Sequence, residues 1–175
     1  FSSNRPNGYG GFDLYKSNKL PNGEWGRVIN LGPNINTKDN EDAPFLHYDG
    51  STLYFSSNGH LGMGGYDIFF TKANSAGIWR KPENIGYPIN SEGNEVGLVV
   101  STDGHLAYFT SRNAGSKGYD IYYFELYEEA RPKKVKFYKG EVKDEDGEPV
   151  KDAVVEISYK NIYQSIGEFF CFFSS

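Results

Sequence analysis

The sequence predicts an all-β fold assembled from repeated four-stranded sheets, and three observations carry that expectation. First, FSSNRPNGYGGFDLY from Phe1, YFSSNGHLGMGGYDIFF from Tyr54 and YFTSRNAGSKGYDIYYF from Tyr108 are versions of one pattern. Phe1, Phe55 and Phe109 stand 54 residues apart, and a fixed period of a few tens of residues marks a solenoid, propeller or array. Second, runs such as TLYFSSN and YDIFFTK are β-branched and aromatic, and no long segment has a helical period. Third, the 175 residues include 14 Tyr, 13 Phe and 21 Gly, a composition that suits short strands broken by Gly, Asn, Asp and Pro.

The register extends beyond the aromatic runs. Trp25 matches Trp79, Gly32 matches Gly86, Asn36 matches Asn90, Glu41 matches Glu95, and the Asp49-Gly50 turn matches Asp103-Gly104. The third glycine loop is one residue shorter, so Phe12-Asp13, Tyr66-Asp67 and Tyr119-Asp120 correspond. In the second copy strands are expected over Ala43–Asp49, Thr52–Asn58, Tyr66–Lys72 and Trp79–Ile85. Four antiparallel strands in such a period make a propeller blade with generous connections. Residues 1–127 are therefore expected as consecutive blades, the C-terminal part of a β-propeller. The start at Phe1, in mid-repeat and without Met, marks a piece of a longer chain. The third copy loses the pattern after Leu126, so its last strand needs cover. A segment upstream of Phe1 is expected to supply it, rather than Lys133–Phe137. Trp25 and Trp79 are expected at equivalent, mostly buried sites.

Several chemistries are excluded or disfavoured. A phosphate loop needs its glycines between a strand and a helix, and here a second strand follows. A net charge of −5 gives no electrostatic reason to bind nucleic acid. No apolar run approaches the length of a membrane helix, and the single Cys171 cannot form an intrachain disulfide. Ser57, His60 and Asp67 have the residue types of a hydrolytic triad. Yet Ser57 matches Ser3 and Ser111, and Asp67 matches Asp13 and Asp120, so structure explains them better than catalysis. Asp13, Asp67 and Asp120 are expected to accept hydrogen bonds from backbone of the preceding loop. His60 is unrepeated and reads as an exposed loop residue. Asp144–Asp152 opens like a calcium loop but lacks the twelfth-position Glu and a following helix. His47, His60 and His105 have no zinc-like spacing. No cofactor, metal or catalytic residue is expected.

APFLHYDGSTLYFSSN followed by GGYDIFF, and VVSTDGHLAYFTSR followed by GYDIYYFEL, resemble the PD40 (WD40-like) repeat of TolB-type propellers. The variant with SSN or TSR, a glycine loop and YDI is similar to propellers of Bacteroidota OmpA-family envelope proteins. After Tyr127 the composition shifts, and residues 128–137 read as a charged, Pro-containing linker. In residues 138–175, Gly140, Val142, Asp144, Gly147, Pro149, Val150, Ala153, Val155 and Ile157 fit the opening pattern of a carboxypeptidase-regulatory-like domain. That resemblance implies the start of a transthyretin-like β-sandwich. The span from Tyr159 to Phe169 is too short for the sandwich's middle strands, so that domain is incomplete. The domain order resembles OmpA-family components of the type IX secretion machinery. It implies a non-enzymatic periplasmic scaffold at the outer membrane, partnered with other envelope or secretion proteins. Peptidoglycan would be reached only through a domain outside this chain.

In four-stranded blades the second-to-third and fourth-to-first connections share one end. That end carries Asn4–Gly11, Asn58–Gly65 and Arg112–Gly118, with Pro33–Asp42 and Tyr87–Asn94. Within these loops Arg5, Tyr9, His60, Leu61, Met63, Arg112 and Lys117 differ from copy to copy, which makes them the candidate partner-binding residues. Asp13, Asp67, Asp120, Trp25, Trp79, Glu41 and Glu95 are the repeated structural positions. Two other functions remain open. One is the non-catalytic propeller of a hydrolase, and the other is a glycan-binding propeller.

Overall fold

A computed structural model describes residues 1–112, 117–139, 142–148, 150 and 170–172. The described chain is all-β, with one 3₁₀ turn at Glu128–Ala130. The first sheet joins β1 (Ser2–Ser3), β2 (Asp13–Lys16) and β3 (Ile29–Asn30). The second joins β4 (Glu41–Leu46), β5 (Thr52–Ser57), β6 (Asp67–Lys72) and β7 (Glu83–Asn84) in sequence order. The third joins β8 (Asn94–Val100), β9 (Leu106–Arg112) and β10 (Asp120–Glu125). All three are antiparallel meanders. A parallel pair, β11 (Phe137–Lys139) with β12 (Phe170–Phe172), completes the described elements.

The 54-residue register reappears as hydrogen bonding. Ser17 Oγ donates to Gly26 O at 2.8 Å, and Thr71 Oγ1 donates to Arg80 O at 2.8 Å. Trp25 bridges Lys19 as Trp79 bridges Ala73. The fourth strand is shorter than the sequence suggests. Between Trp79 and Ile85 only β7 pairs continuously, and β3 is equally short in the first repeat, where Val28 stands at the position of Pro82.

Alternation along the strands gives each sheet two apolar faces, and the sheets stack through them. Leu53, Phe55 and Phe69 of the second sheet pack with Leu14 and Ile35 of the first repeat. On the opposite face Tyr54, Ile68 and Phe70 meet Leu98, Val100, Ala107 and Phe109 of the third. Each fully buried aromatic or aliphatic side chain contributes about 1.5–3 kcal/mol. Central burial explains why β5 is closed off from solvent along its whole length.

Two expectations are corrected. Trp25 is 71% exposed, whereas Trp79 is partly buried against the Leu14 and Leu31 cluster. The two indoles share a backbone position, but Trp79 has the first sheet to lean on and Trp25 has no preceding sheet within residues 1–175. Residues 128–137, read as a linker, are docked: Ala130 and Val135 are buried. β10 pairs with β9 alone among the described residues, so Val135 does not lie beside it, and the expected upstream clasp falls outside residues 1–175. In the final segment Asp144 accepts bonds from the N–H groups of Asp146 and Glu148 and closes a tight turn. The expected strand positions Gly140, Ala153, Val155 and Ile157 lie outside the described residues.

Both complete first strands carry a bulge at the same place, between Asp42 and Phe45 in β4 and between Val96 and Val99 in β8. The bulge needs a left-handed residue. Ala43 supplies it at φ +47° and its repeat partner Gly97 at φ +71°. A Cβ on Gly97 would meet only Thr110 Oγ1, at 4.0 Å. Gly97→Ala should therefore cost about 1–2 kcal/mol through backbone strain alone. Ala43→Gly should stay within about 1 kcal/mol of the parent, since relieved strain is offset by a freer unfolded chain. Denaturant midpoints at constant slope measure both.

Candidate functional site

The glycine-loop end is built by polar side chains that hold loops and connections together. Asp13 and Asp67 open the third strands of their repeats, are fully buried, and turn back into the preceding loop. Asp13 accepts from Tyr9 N at 2.7 Å and Gly10 N at 3.2 Å, and Asp67 accepts from Met63 N at 2.9 Å and Gly64 N at 3.1 Å. The loops then press on the inter-sheet connections. Gly11 N donates to Asp39 O at 2.7 Å and Gly65 N to Gly93 O at 2.8 Å. A Cβ on Gly10 or Gly64 would sit about 2.5 Å from that backbone, so these glycines are required by close approach.

Two further residues per repeat clamp the connection from beneath. Asn36 accepts from Leu14 N at 2.7 Å and donates to Leu14 O at 3.0 Å, and Asn90 does the same to Ile68 at 2.8 and 2.9 Å. Glu41, fully buried, accepts from Thr37 N at 2.8 Å, Thr37 Oγ1 at 2.7 Å and Ser57 Oγ at 2.8 Å. Glu95 accepts from Ser91 N at 3.0 Å, Ser91 Oγ at 2.7 Å and Ser111 Oγ at 2.9 Å. Ser57 and Asp67 are thus committed to separate structural networks. Neither Ser57 nor Asp67 is bonded to the His60 ring, which contacts Ile35 O at 2.8 Å and packs on Phe55 and Phe69. His60 is half-buried, unlike the exposed residue expected, because the loop folds it over the first inter-sheet core.

The remaining candidate partner residues stay on the surface. Leu61 is 95% exposed, and Tyr9 and Met63 are about half exposed. Arg5, Arg112 and Lys117 are exposed as well. Arg5 is not free, since its guanidinium lies 5.4 Å from the Phe1 ring centroid and 5.0 Å from that of Tyr15. Asp120, the third of the repeated aspartates, is exposed, and most of the loop before it lies outside the described residues. Sequence reasoning missed Tyr87, which is 79% exposed on the second connection. Its unmatched partner in the first connection, Pro33, was the available signal.

The opposite, turn end holds two features of its own. A cleft of about 790 Å³ opens between the first and second sheets, with Leu14, Leu31, Leu46, Leu53, Trp25 and Trp79 in its walls. Tyr54 fills the corresponding place in the next interface, and its repeat counterpart would precede Phe1. Beside the cleft, buried Asp49 accepts from Ser51 N, Thr52 N and Thr52 Oγ1 at 2.9, 2.9 and 2.7 Å, and from Lys133 N at 2.8 Å. His47 Nδ1 accepts from Asp49 N at 3.2 Å, and its Nε2–H reaches Ser101 O at 3.2 Å in the next repeat. Burial alone would raise the Asp49 carboxyl, but the donors from Ser51, Thr52 and Lys133 outweigh it and hold it well below the usual carboxylate range.

Family models, curated proteins and solved structures contain no match to this chain. Among the described residues no cluster of His, Cys, Asp and Glu is arranged to hold a metal ion, and no helix is long and apolar enough to cross a membrane.

Asn90→Ala would leave the buried Ile68 N–H without this partner, at about 1–3 kcal/mol, while Ile68 C=O keeps the Ile85 N–H at 3.1 Å. A loss of stability below about 0.5 kcal/mol would mean that water replaces the amide. Because the folded Asp49 carboxyl titrates below its unfolded value, its contribution is complete above about pH 4 and disappears as pH falls through the folded value. Asp49→Asn should destabilise the chain at pH 7 and flatten the acid limb of its stability curve, measured by urea titrations from pH 7 to pH 2.

Proposed function

We infer that residues 1–127 are consecutive β-propeller blades and that the chain is a non-catalytic interaction scaffold of the bacterial cell envelope. One observation carries the propeller reading. Tyr108, Tyr123 and Ile121 are 42, 72 and 77% exposed on one face of the third sheet, beside half-exposed Val99. Their repeat partners in the second sheet, Tyr54, Phe70, Ile68 and Phe45, are packed in the core shared with the third sheet. A face covered in one copy and bare in the next suits a further sheet of the same kind. Repeated sheets stacked face to face about an axis are propeller blades.

The scaffold reading is supported by where the polar chemistry goes. Ser57, Asp67, Glu41 and Glu95 are occupied in holding loops, and copy-specific residues such as Leu61 and Met63 face solvent. The order of repeats and regulatory-like segment is similar to that of PorE, an OmpA-family component of type IX secretion. On that reading the chain resides in the periplasm at the outer membrane and binds other envelope or secretion proteins. Peptidoglycan contact would belong to a domain outside residues 1–175. The glycan-binding alternative draws on the cleft with Trp25 and Trp79 in its walls, since indole faces stack well on flat apolar surfaces.

A photo-crosslinking residue at position 61 distinguishes these readings. In a Bacteroidota periplasm it should yield discrete adducts with envelope proteins, while the same group at Ile78, 60% exposed at the turn end, yields none. Adducts from position 78 alone would reverse the face assignment, and a saccharide that quenches Trp25 fluorescence would favour the glycan reading.

A further inference from the structure

The third repeat leaves the pattern of the second after Leu126. Up to that residue they agree closely: Leu126 N donates to His105 O at 2.8 Å, as Ala73 N donates to Ser51 O at 2.8 Å. The second repeat then runs through Trp79 to β7, whereas the third folds Glu128–Ala130 into a 3₁₀ turn. That turn is drawn into the interface between the second and third sheets. Leu126 and Ala130 are fully buried there, among Ile68, Phe70, Leu98 and Val100.

Polar ties from several elements hold the segment. The Tyr54 phenol, kept protonated by burial and by the nearby Asp49 charge, donates to Ala130 O. Lys72 Nζ donates to Glu129 O at 2.8 Å. Pro132 lies over Gly104 so closely that a Cβ there would stand 3.0 Å from the ring. Lys133 N donates to Asp49 Oδ2 at 2.8 Å, Val135 is buried, and Phe137 meets Tyr48 edge-on with centroids 5.3 Å apart. Of the charges that make this stretch look like a linker, those on Glu128, Glu129, Lys133, Lys134 and Lys136 face solvent, whereas half-buried Arg131 donates from Nε to Leu126 O at 2.6 Å.

We propose that residues 126–137 are a docked strap that locks the third sheet to the second and fixes where the chain leaves the repeats. A pull on the chain beyond Lys139 is then borne by the sheets, not by a flexible tether. The inference is independent of the scaffold reading, since it concerns only how residues 126–137 are held.

Trypsin treatment and hydrogen exchange of the whole chain test it. Cleavage after Lys133 and Lys134 should be at least ~100-fold slower than in a free peptide of residues 126–139, because the native opening that exposes them is rare. The Lys133 amide should be protected to a similar degree. Tyr54→Phe together with Lys72→Met removes two ties without removing the ring or the stem. That variant should speed both processes ~10-fold or more while exchange within Thr52–Ser57 is unchanged. Cleavage at the peptide's rate overturns the proposal. So do unaltered rates in the double variant, or a nick at Lys133 that leaves the melting temperature of the repeats unchanged.

Discussion

The arrangement depends on a carboxylate and an amide buried beneath each inter-sheet connection. Residues 35–41 and 89–95 must cross from one sheet to the next with their backbone partly out of water, and a buried N–H or C=O without a partner is costly. Glu41 and Glu95 supply acceptors to the connection itself, while Asn36 and Asn90 tie it to the third strand behind. The same bonds recur in both connections. The apolar faces then meet in register.

That clamp explains the shape of the rest. With the connections fixed, the glycine loops have only a narrow space, and Gly10 and Gly64 fit where any Cβ would collide with backbone. The loop tips are left outside, and there the copies differ. Leu61 and Met63 in the second copy replace Asn7 and Tyr9 in the first without touching the frame. Variation is tolerated where nothing structural is bonded, so a binding surface on this end would change partner without refolding.

The turn end obeys a different rule. There the ties run forward along the chain: His47 to Ser101, its own repeat counterpart, Asp49 to Lys133, and Tyr54 to Ala130. These bonds join the second repeat to the third and to the segment beyond it. The first-repeat positions corresponding to His47, Asp49 and Tyr54 fall before Phe1, and a cleft lies between the first and second sheets on that end.

Much of this was legible in sequence. A period of 54 residues with aromatic, β-branched runs determines antiparallel strands and their equivalence, because strand preference and turn chemistry are local. The repeated Asp13 and Asp67 were readable as loop acceptors for the same reason, since donor and acceptor lie within four residues. Asn36 and Glu41 were visible as repeated positions, but their bond partners were not, since some lie 16 to 22 residues away. Burial was decided only by tertiary structure. Trp25 and Trp79 are the same residue in the same local geometry, and one is exposed because no sheet within residues 1–175 stands beside it. The charged stretch 128–137 reads as linker because its side chains prefer water. The fold keeps them there while burying Ala130 and Val135 between them, a choice made by the surface it lands on and not by its own composition.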